Sequence, residues 1–412
     1  MKEILAASTA LGFDILSHGA ETYRVEESIT RMCAAYGYQN TDVFVIPSSI
    51  VVTITDDTGA YLTRTRRILS RDTDLDKVDK LNALCRQICE QIPEYGEIMA
   101  RLQEIEQGPV YSMPMQYFGF GMISAFFTLF YGGVLVDAAA AFVLGVLLKV
   151  VIHQLEKLEA SSFFVNIVGG AFTACGCYLA VKAGFALSQD KMIIGMLMNL
   201  VPGIALTNAM REFIAADLIS GMIKFGHCHW HCHRGSGIAG NLHSLPGGAA
   251  GMKLNLTPDM ILPCIYAFFA SFGFSYVFNL RGKNMFYAAL GGGLSWFVYL
   301  LFAGCFSSDV PQFFLSMVAV SLYSEYMARK HHSPVTVYLV ISYIPLVPGG
   351  GAYYTMEYLV GGETQLAMET GIHTLFVAGA IAMGIVLVSS MTRILAAYGR
   401  RRREKQESSE SA

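Results

Sequence analysis

Long apolar stretches dominate the chain from residue 115 onward. They predict nine membrane-spanning helices of about 20 residues each, near 115–133, 134–153, 163–184, 192–210, 260–280, 284–306, 311–329, 335–356 and 371–396. Such spans are typical of a multi-pass α-helical membrane protein.

Residues 1–113 have a different pattern. Apolar residues recur at helical spacing in 2–18, around 25–33 and over 75–92, where Pro93 ends the last helix. Runs rich in β-branched residues, with turn residues at 56–59, predict strands at 43–46, 50–55 and 61–64. Because Asp14 and His18 interrupt the first apolar run, it is not a secretory signal. We expect a soluble α+β domain that stays in the cytoplasm.

The membrane part has an internal repeat. The first predicted span begins at 115 and the fifth at 260, a shift of 145 residues. The tetrapeptide Leu-Val-Pro-Gly occurs twice, at 200–203 and 346–349. The shift also predicts a tenth span near 222–246. Five spans in each half give opposite orientations, so we expect two five-helix inverted repeats, at 114–255 and 256–398.

The stretch where the tenth span is expected is unusual. Residues 226–235 read GHCHWHCHRG, and five of the ten histidines fall between His227 and His243. Three interpretations are open: a zinc or copper site, a polar loop, or a shifted reading frame in the gene. In the shifted frame, the His/Cys run becomes small and β-branched residues that suit a span. The repeat favours the shifted frame, and we assign no metal ligand.

Composition and charge narrow the class of protein. The chain is 53% hydrophobic and 15% charged, with mean hydropathy +0.44, which excludes an ordinary soluble enzyme. A net charge of −3 argues against nucleic-acid binding. Basic residues concentrate in alternate loops, which the positive-inside rule places in the cytoplasm together with both termini. These residues are Lys157, Arg211, Arg281, Lys283, Arg329, Lys330 and Arg400 to Arg403 in a basic and polar tail, 399–412.

The two Pro-Gly pairs predict the substrate site. Proline lacks an N–H, and a broken helix in lipid persists only where its free groups face protein, water or ligand. Each helix restart offers N–H groups and a positive dipole end to a carboxylate. The competing interpretation is that the breaks only kink helices and that Asn199 only joins them. The candidate substrate-binding residues are Asn199, Pro202, Gly203, Asn208, Pro348, Gly349, Gly350, Tyr353 and Glu357. Glu357 is a candidate for the substrate ammonium or a coupling proton.

Three motifs resemble the threonine/serine exporter family. Residues 18–26, HGAETYRVE, are similar to its N-terminal signature. The segment 200–203 with Asn208, Arg211 and 216–221 resembles its fourth-helix motif, and 344–353 resembles its companion domain, a separate subunit in some bacteria. The resemblance covers about 11–395 and departs from the family pattern at 226–246. It implies proton-driven export of threonine and serine across the bacterial inner membrane, without a cofactor or an enzymatic reaction.

Several alternatives stay open beside this interpretation. Some two-subunit relatives are linked to succinate export, so a dicarboxylate exporter is the first alternative, although few intramembrane Lys or Arg residues argue for an amino acid. A hydrolase site in 1–113 is the second, although no nucleophile motif is present. A homo-oligomer is also open. We assign no catalytic residue.

Five further residues are candidates for gating or coupling. Arg211 and Asp217 lie close to a predicted helix end and serve equally well as gates or as anchors. Glu21, Arg24 and Glu26 form either a surface ion pair or, as the resemblance implies, a contact that docks the soluble domain onto the membrane half.

Overall fold

The computed structural model describes residues 1–69, 71–200, 258–303, 305–306 and 308–410, together with Thr207, Met210 and Glu212. Several predicted features lie outside the described residues: Pro202, Gly203, Asn208, Arg211, Asp217 and the segment 226–246.

The N-terminal module, residues 1–106, is a three-stranded antiparallel sheet with helices. Its elements are α1 (Lys2–Ser17), α2 (Thr22–Ala35), β1 (Asn40–Ile46), β2 (Ser49–Thr55), β3 (Tyr61–Arg67), α3 (Leu75–Gln91) and α4 (Tyr95–Glu106). The predicted hairpin is present, because the Asp56 carboxylate accepts the backbone N–H groups of Thr58 and Ala60. Helix α4 was not predicted, and only two of its residues, Ile98 and Leu102, are buried.

One apolar core holds the module together. Alternate residues of β2, Ile50, Val52 and Ile54, are fully buried and share a cluster with Leu11 of α1 and Ile29 of α2. Burying a side chain of this size stabilises the folded state by about 1.5–3 kcal/mol.

The remaining helices form the membrane part. They are α5 (Met113–Phe130), α6 (Leu135–Lys157), α7 (Ser162–Lys182), α8 (Gln189–Leu197), α9 (Pro258–Val277), α10 (Lys283–Leu301), α11 (Val310–His331), α12 (Val335–Ser342), α13 (Gly349–Val360) and α14 (Thr364–Glu410). Within the described residues, four helices are long and apolar enough to cross a membrane, or five if the bent pair α12 and α13 counts as one span. Helix α14 continues into the predicted tail.

Helix starts recur along the chain at nearly constant spacing. Helices α5 to α8 start at 113, 135, 162 and 189, and α9 to α12 start at 258, 283, 310 and 335. The differences are 145, 148, 148 and 146 residues. A Cβ on Gly145 of α6 would overlap the Ser124 hydroxyl of α5, and a Cβ on Gly292 of α10 would overlap that of Ser271 of α9. Both helix pairs therefore approach closely at positions 147 residues apart.

The N-terminal module docks onto one end of the membrane helices. The Leu75 N–H donates to the Phe278 carbonyl at 2.9 Å, and Asn279 Nδ2 donates to Asp74 Oδ2 at 2.8 Å. Three further contacts join Arg86 to His332, Asp79 to Ser333 and Tyr23 to Arg393. The C-terminal ends of α9 and α11 therefore lie on the module side, and the start of α11 lies at the opposite end.

Candidate functional site

The chain between Ser342 and Gly349 breaks a membrane span. Helix α12 ends at Ser342, a 3-10 turn follows over Ile344–Leu346, and α13 restarts at Gly349 after an angle of 40°. Pro345 and Pro348 lie within this break and have no N–H to donate to the preceding turn. The structure therefore has a helix break at the second Leu-Val-Pro-Gly copy, where the sequence predicts one.

A cavity of about 550 Å³ lies on one side of the break, toward the end remote from the module. Its walls are largely aromatic, and charged or titratable groups lie among them. The lining residues that matter below are Tyr131, Lys191, Trp296, Asp309, Pro348, Gly350, Gly351, Tyr354, Tyr358, His373 and Thr374.

A smaller cavity of about 170 Å³ lies on the module side of the break. Asn199, Val347 and Gly349 line it together with Phe278, whose carbonyl contacts the module. Val347 lines both cavities. The predicted residues Asn199, Pro348, Gly349 and Gly350 therefore lie around the same break, between two cavities.

The Asn199 side chain lies at the smaller cavity and is held by its amide nitrogen. Its Nδ2 donates to Ser124 Oγ at 3.0 Å and to the Met196 carbonyl at 3.2 Å. Its Oδ1 is buried and has no hydrogen-bond partner among the described residues. This oxygen suits an ammonium or hydroxyl donor of a bound solute.

The first turn of α13 presents backbone to the larger cavity. The N–H groups of Gly349 and Ala352 are bonded to the Val347 and Pro348 carbonyls, while Gly350 and Gly351 line the cavity. A Cβ on Gly350 would lie 3.5 Å from the Tyr131 hydroxyl oxygen. Because the first N–H groups of a helix have no intrahelical acceptor, this turn suits a carboxylate.

Tyr353 and Glu357 lie on a neighbouring face of α13. Tyr353 is buried with Cys177 and Met192, and neither Tyr353 nor Glu357 lines either cavity. Tyr354 and Tyr358 line the larger cavity instead, four residues apart on the face that also carries Gly350. The choice of face depends on how α13 packs, which the sequence does not show.

Sequence reasoning did not select two polar contacts at the larger cavity. His373 Nε2 lies 2.7 Å from Asp309 Oδ1, and Lys191 Nζ donates to the Gly132 carbonyl at 2.7 Å. One sequence signal could have pointed to these residues: each is a polar residue in the N-terminal part of an apolar helix or directly before it.

Two described contacts of the predicted cluster at α2 lie within the module. Arg24 Nε lies 3.4 Å from Glu21 Oε2, and Glu26 Oε1 accepts the Val45 N–H of β1 at 3.1 Å. Tyr23, between them, contacts Arg393 of α14 at 4.6 Å. Tyr23 is therefore one contact between the start of α2 and the membrane part.

The module also holds a group of charged residues, in which His18 and Lys77 are buried and Glu106 is exposed. His18 Nε2 lies 3.3 Å from both Lys77 Nζ and Glu106 Oε2. Burial raises the pKa of the Asp14 carboxyl to about 6, while the positive charge of Arg66 opposes the rise. Among the described residues, no group of three or more His, Cys, Asp or Glu side chains is placed to hold a metal ion.

Comparison with known proteins gives two family matches. A family model described as a threonine/serine exporter matches residues 7–230, and one described as "Threonine/Serine exporter, ThrE" matches residues 263–391. A Corynebacterium glutamicum protein named "Threonine/serine exporter" is 20% identical over 420 residues, which cover 95% of this chain and 83% of the relative. A Klebsiella aerogenes protein named "Probable succinate transporter subunit YjjP" is 26% identical over 226 residues, 52% of this chain and 81% of the relative. No solved structure matches the chain.

Proposed function

The chain belongs to the threonine/serine exporter family, and we propose that it exports threonine and serine from the bacterial cytoplasm, driven by the proton gradient. The family and the apolar helices make it a multi-pass membrane transport protein. The substrate, the proton coupling and the inner-membrane location are parts of the proposal.

The pair of cavities at the helix break is the observation that carries this proposal. A transporter needs a site that can be reached from either side of the membrane in turn, and broken helices commonly form such sites. The larger cavity, about 550 Å³, lies within the size range of small-molecule sites, and the smaller one lies across Val347 from it. The break therefore separates two compartments that a solute could occupy in sequence.

The groups at the break suit a zwitterion. In our proposal the substrate carboxylate binds the first turn of α13 at Gly350 and Gly351, and the Asn199 Oδ1 accepts a hydrogen bond from the ammonium or hydroxyl group. Pro202, Gly203 and Asn208 supply the matching half of the site from the first repeat. Tyr353 and Glu357 enter the cavity on rotation of α13, and Glu357 is then the candidate for the coupling proton.

We also propose the membrane topology from these features. The membrane part is two five-helix repeats, 114–255 and 256–398, inverted relative to each other. Arg281, Lys283, Arg329 and Lys330 lie near the helix ends that face the module. By the positive-inside rule, these cations support a cytoplasmic position for the module and both termini. The larger cavity then faces outward. Arg211, Asp217 and the α2 residues Glu21, Arg24 and Glu26 are proposed to act in gating at the cytoplasmic end.

A dicarboxylate exporter is the second candidate, because a relative carries the name of a succinate transporter subunit. Two carboxylates need two cationic partners in a poorly hydrated site. Among the described residues that line the larger cavity, Lys191 is the only permanent cation, and it is already bonded to the Gly132 carbonyl. This arrangement favours an amino acid.

The test is efflux from cells that lack their own exporters and are preloaded with a threonine dipeptide. We expect threonine efflux that an uncoupler abolishes, that Pro348→Ala reduces and that Pro114→Ala leaves unchanged, since Pro114 lies at the start of α5, where proline is tolerated. Succinate efflux alone would favour the second candidate. Absence of both effluxes, with the protein present in the membrane, would refute the proposal.

A further inference from the structure

An imidazole–carboxylate pair closes one side of the larger cavity. His373 of α14 and Asp309, the residue before α11, are joined at 2.7 Å between Nε2 and Oδ1. Both residues line the cavity, with 49% and 35% of their side chains exposed. The pair therefore links two helices while solvent and solute can still reach it.

The surroundings of the pair leave one carboxylate available to a cation. Among the described lining residues, Asp309 is the only carboxylate. The other charged or titratable groups around it are Lys191 of α8, Tyr299 of α10, Tyr354 and Tyr358 of α13, and Tyr131, the residue after α5. Lys191 donates to the Gly132 carbonyl and not to Asp309.

We propose that Asp309 binds the ammonium group of the outgoing substrate and that protonated His373 competes with the substrate for this carboxylate. This inference rests on the proposed function, because it requires an amino-acid substrate. In the neutral imidazole, Nε2–H donates to Asp309, and Nδ1 is left to accept a proton from outside. The resulting imidazolium binds the carboxylate more strongly and displaces the ammonium.

Competition at this carboxylate couples the two movements in the larger cavity, which neither Glu357 nor Asn199 lines. A proton that enters from outside favours release of the amino acid, and a bound amino acid favours loss of the proton, as linkage requires. Histidine is the side chain that ordinarily changes charge between pH 5 and 8. Threonine should therefore bind more weakly at pH 5.5 than at pH 8, and this difference should depend on His373.

The test uses the purified full chain, with threonine binding measured by calorimetry and threonine exchange measured in vesicles. Asp309→Asn removes the charge at the same size, and His373→Gln keeps a donor that does not titrate. Glu369→Gln is the matched control, because Glu369 is an exposed carboxylate on α14, one turn before His373, and it bonds Gln365 outside the cavity.

In the wild type and in Glu369→Gln, we expect threonine affinity to fall by about tenfold from pH 8 to pH 5.5, the effect of losing one charge-assisted contact. His373→Gln should retain its affinity at pH 8 and lose the pH dependence. Asp309→Asn should bind about tenfold more weakly at pH 8 and show no pH dependence.

The possible outcomes separate this inference from the proposed function. If the wild type exchanges threonine and both variants follow its pH profile, the inference is wrong and the exporter function stands. If the wild type neither binds nor exchanges threonine or serine, the proposed function and this inference are both wrong. Gel filtration of each variant identifies any that has not folded. If Asp309→Asn does not fold, Asp309→Glu replaces it, and we expect weaker threonine binding because the longer side chain displaces the carboxylate.

Discussion

Gly351→Ala tests the contact that sets the position of the helix restart. Gly351 lies in the first turn of α13, and a Cβ there would overlap Oγ1 of Thr374 on α14. That hydroxyl donates to the Thr370 carbonyl at 2.7 Å, so it can move aside only by losing this bond. Either α13 moves away from α14 or the hydrogen bond breaks.

The size of the effect follows from these two routes. Overpacking costs about 1–3 kcal/mol, and a lost hydrogen bond about 0.5–1.5 kcal/mol. Replacing glycine by alanine in a helix returns up to about 1 kcal/mol. Gly350→Ala is the matched control, because its Cβ would meet Tyr131 at an ordinary 3.5 Å and receives the same helix gain. We expect Gly351→Ala to be less stable than Gly350→Ala by about 1–3 kcal/mol.

The assay is thermal denaturation of the purified full chain in detergent, followed by threonine exchange in vesicles. Thr374→Ala removes the obstructing hydroxyl, so the double variant Gly351→Ala with Thr374→Ala should recover most of the lost stability. The wild type, Gly351→Ala, Thr374→Ala and the double variant form a double-mutant cycle that isolates the contact between residues 351 and 374.

Two results would refute this reasoning. The first is equal stability of Gly351→Ala and Gly350→Ala, which would mean that α13 and α14 do not approach closely at Thr374. The second is a destabilised Gly351→Ala that Thr374→Ala does not improve, which would place the strain elsewhere in α13.

Three further predictions concern the module, its junction and the smaller cavity. Asp14→Asn should stabilise the protein by up to about 3 kcal/mol at pH 8 and by little at pH 4 in thermal denaturation. The sign follows from the pKa of Asp14, which is about 6 in the folded state against an ordinary value of 3.8. Above pH 6 the charged carboxylate destabilises the folded state, and this penalty disappears as the pH falls below 6 and the folded state takes up the proton. An equal gain in stability at pH 8 and pH 4 would contradict a raised pKa for Asp14. Asn279→Ala should cost at least about 1.5–3 kcal/mol, because it removes the 2.8 Å bond to Asp74 and the 3.1 Å bond from the Tyr111 N–H, and it leaves alanine at a positive φ of 49°. It should also speed hydrogen exchange in the first turn of α3, and unchanged exchange there would argue against the junction. Asn199→Ala should lower threonine exchange by about tenfold, whereas Ser124→Ala, which leaves the Asn199 Oδ1 in place, should lower it much less. Equal losses would assign Asn199 a packing role.

The elements that could be predicted from sequence are those with a local cause. The alternation of apolar residues in β2 and the turn at Asp56 depend only on residues close together in sequence, and the structure has a hairpin there. The helix break at Pro348 is equally local, because proline has no N–H wherever it occurs. Helix α4 was missed because only Ile98 and Leu102 face the core, which leaves almost no apolar periodicity.

The parts of the candidate site that could not be predicted depend on contacts between distant segments. Tyr353 and Tyr354 are adjacent in sequence and equally aromatic, yet only Tyr354 lines the larger cavity, because α13 turns Tyr353 toward Cys177 and Met192. Asp309 and His373 are 64 residues apart, and nothing near either residue signals the other.

The sequence by itself determined the class of protein, the positions of its apolar helices and the place of the break at Pro348. These features follow from a requirement that each segment meets alone: lipid satisfies no backbone hydrogen bonds, so spans must be apolar helices, and a break in one needs other partners. Only the tertiary structure decided which groups face each other across the break. It put Asn199 and Gly349, from different halves of the chain, on one cavity and brought His373 to Asp309 within the second half. Packing between helices that are far apart in sequence sets these distances.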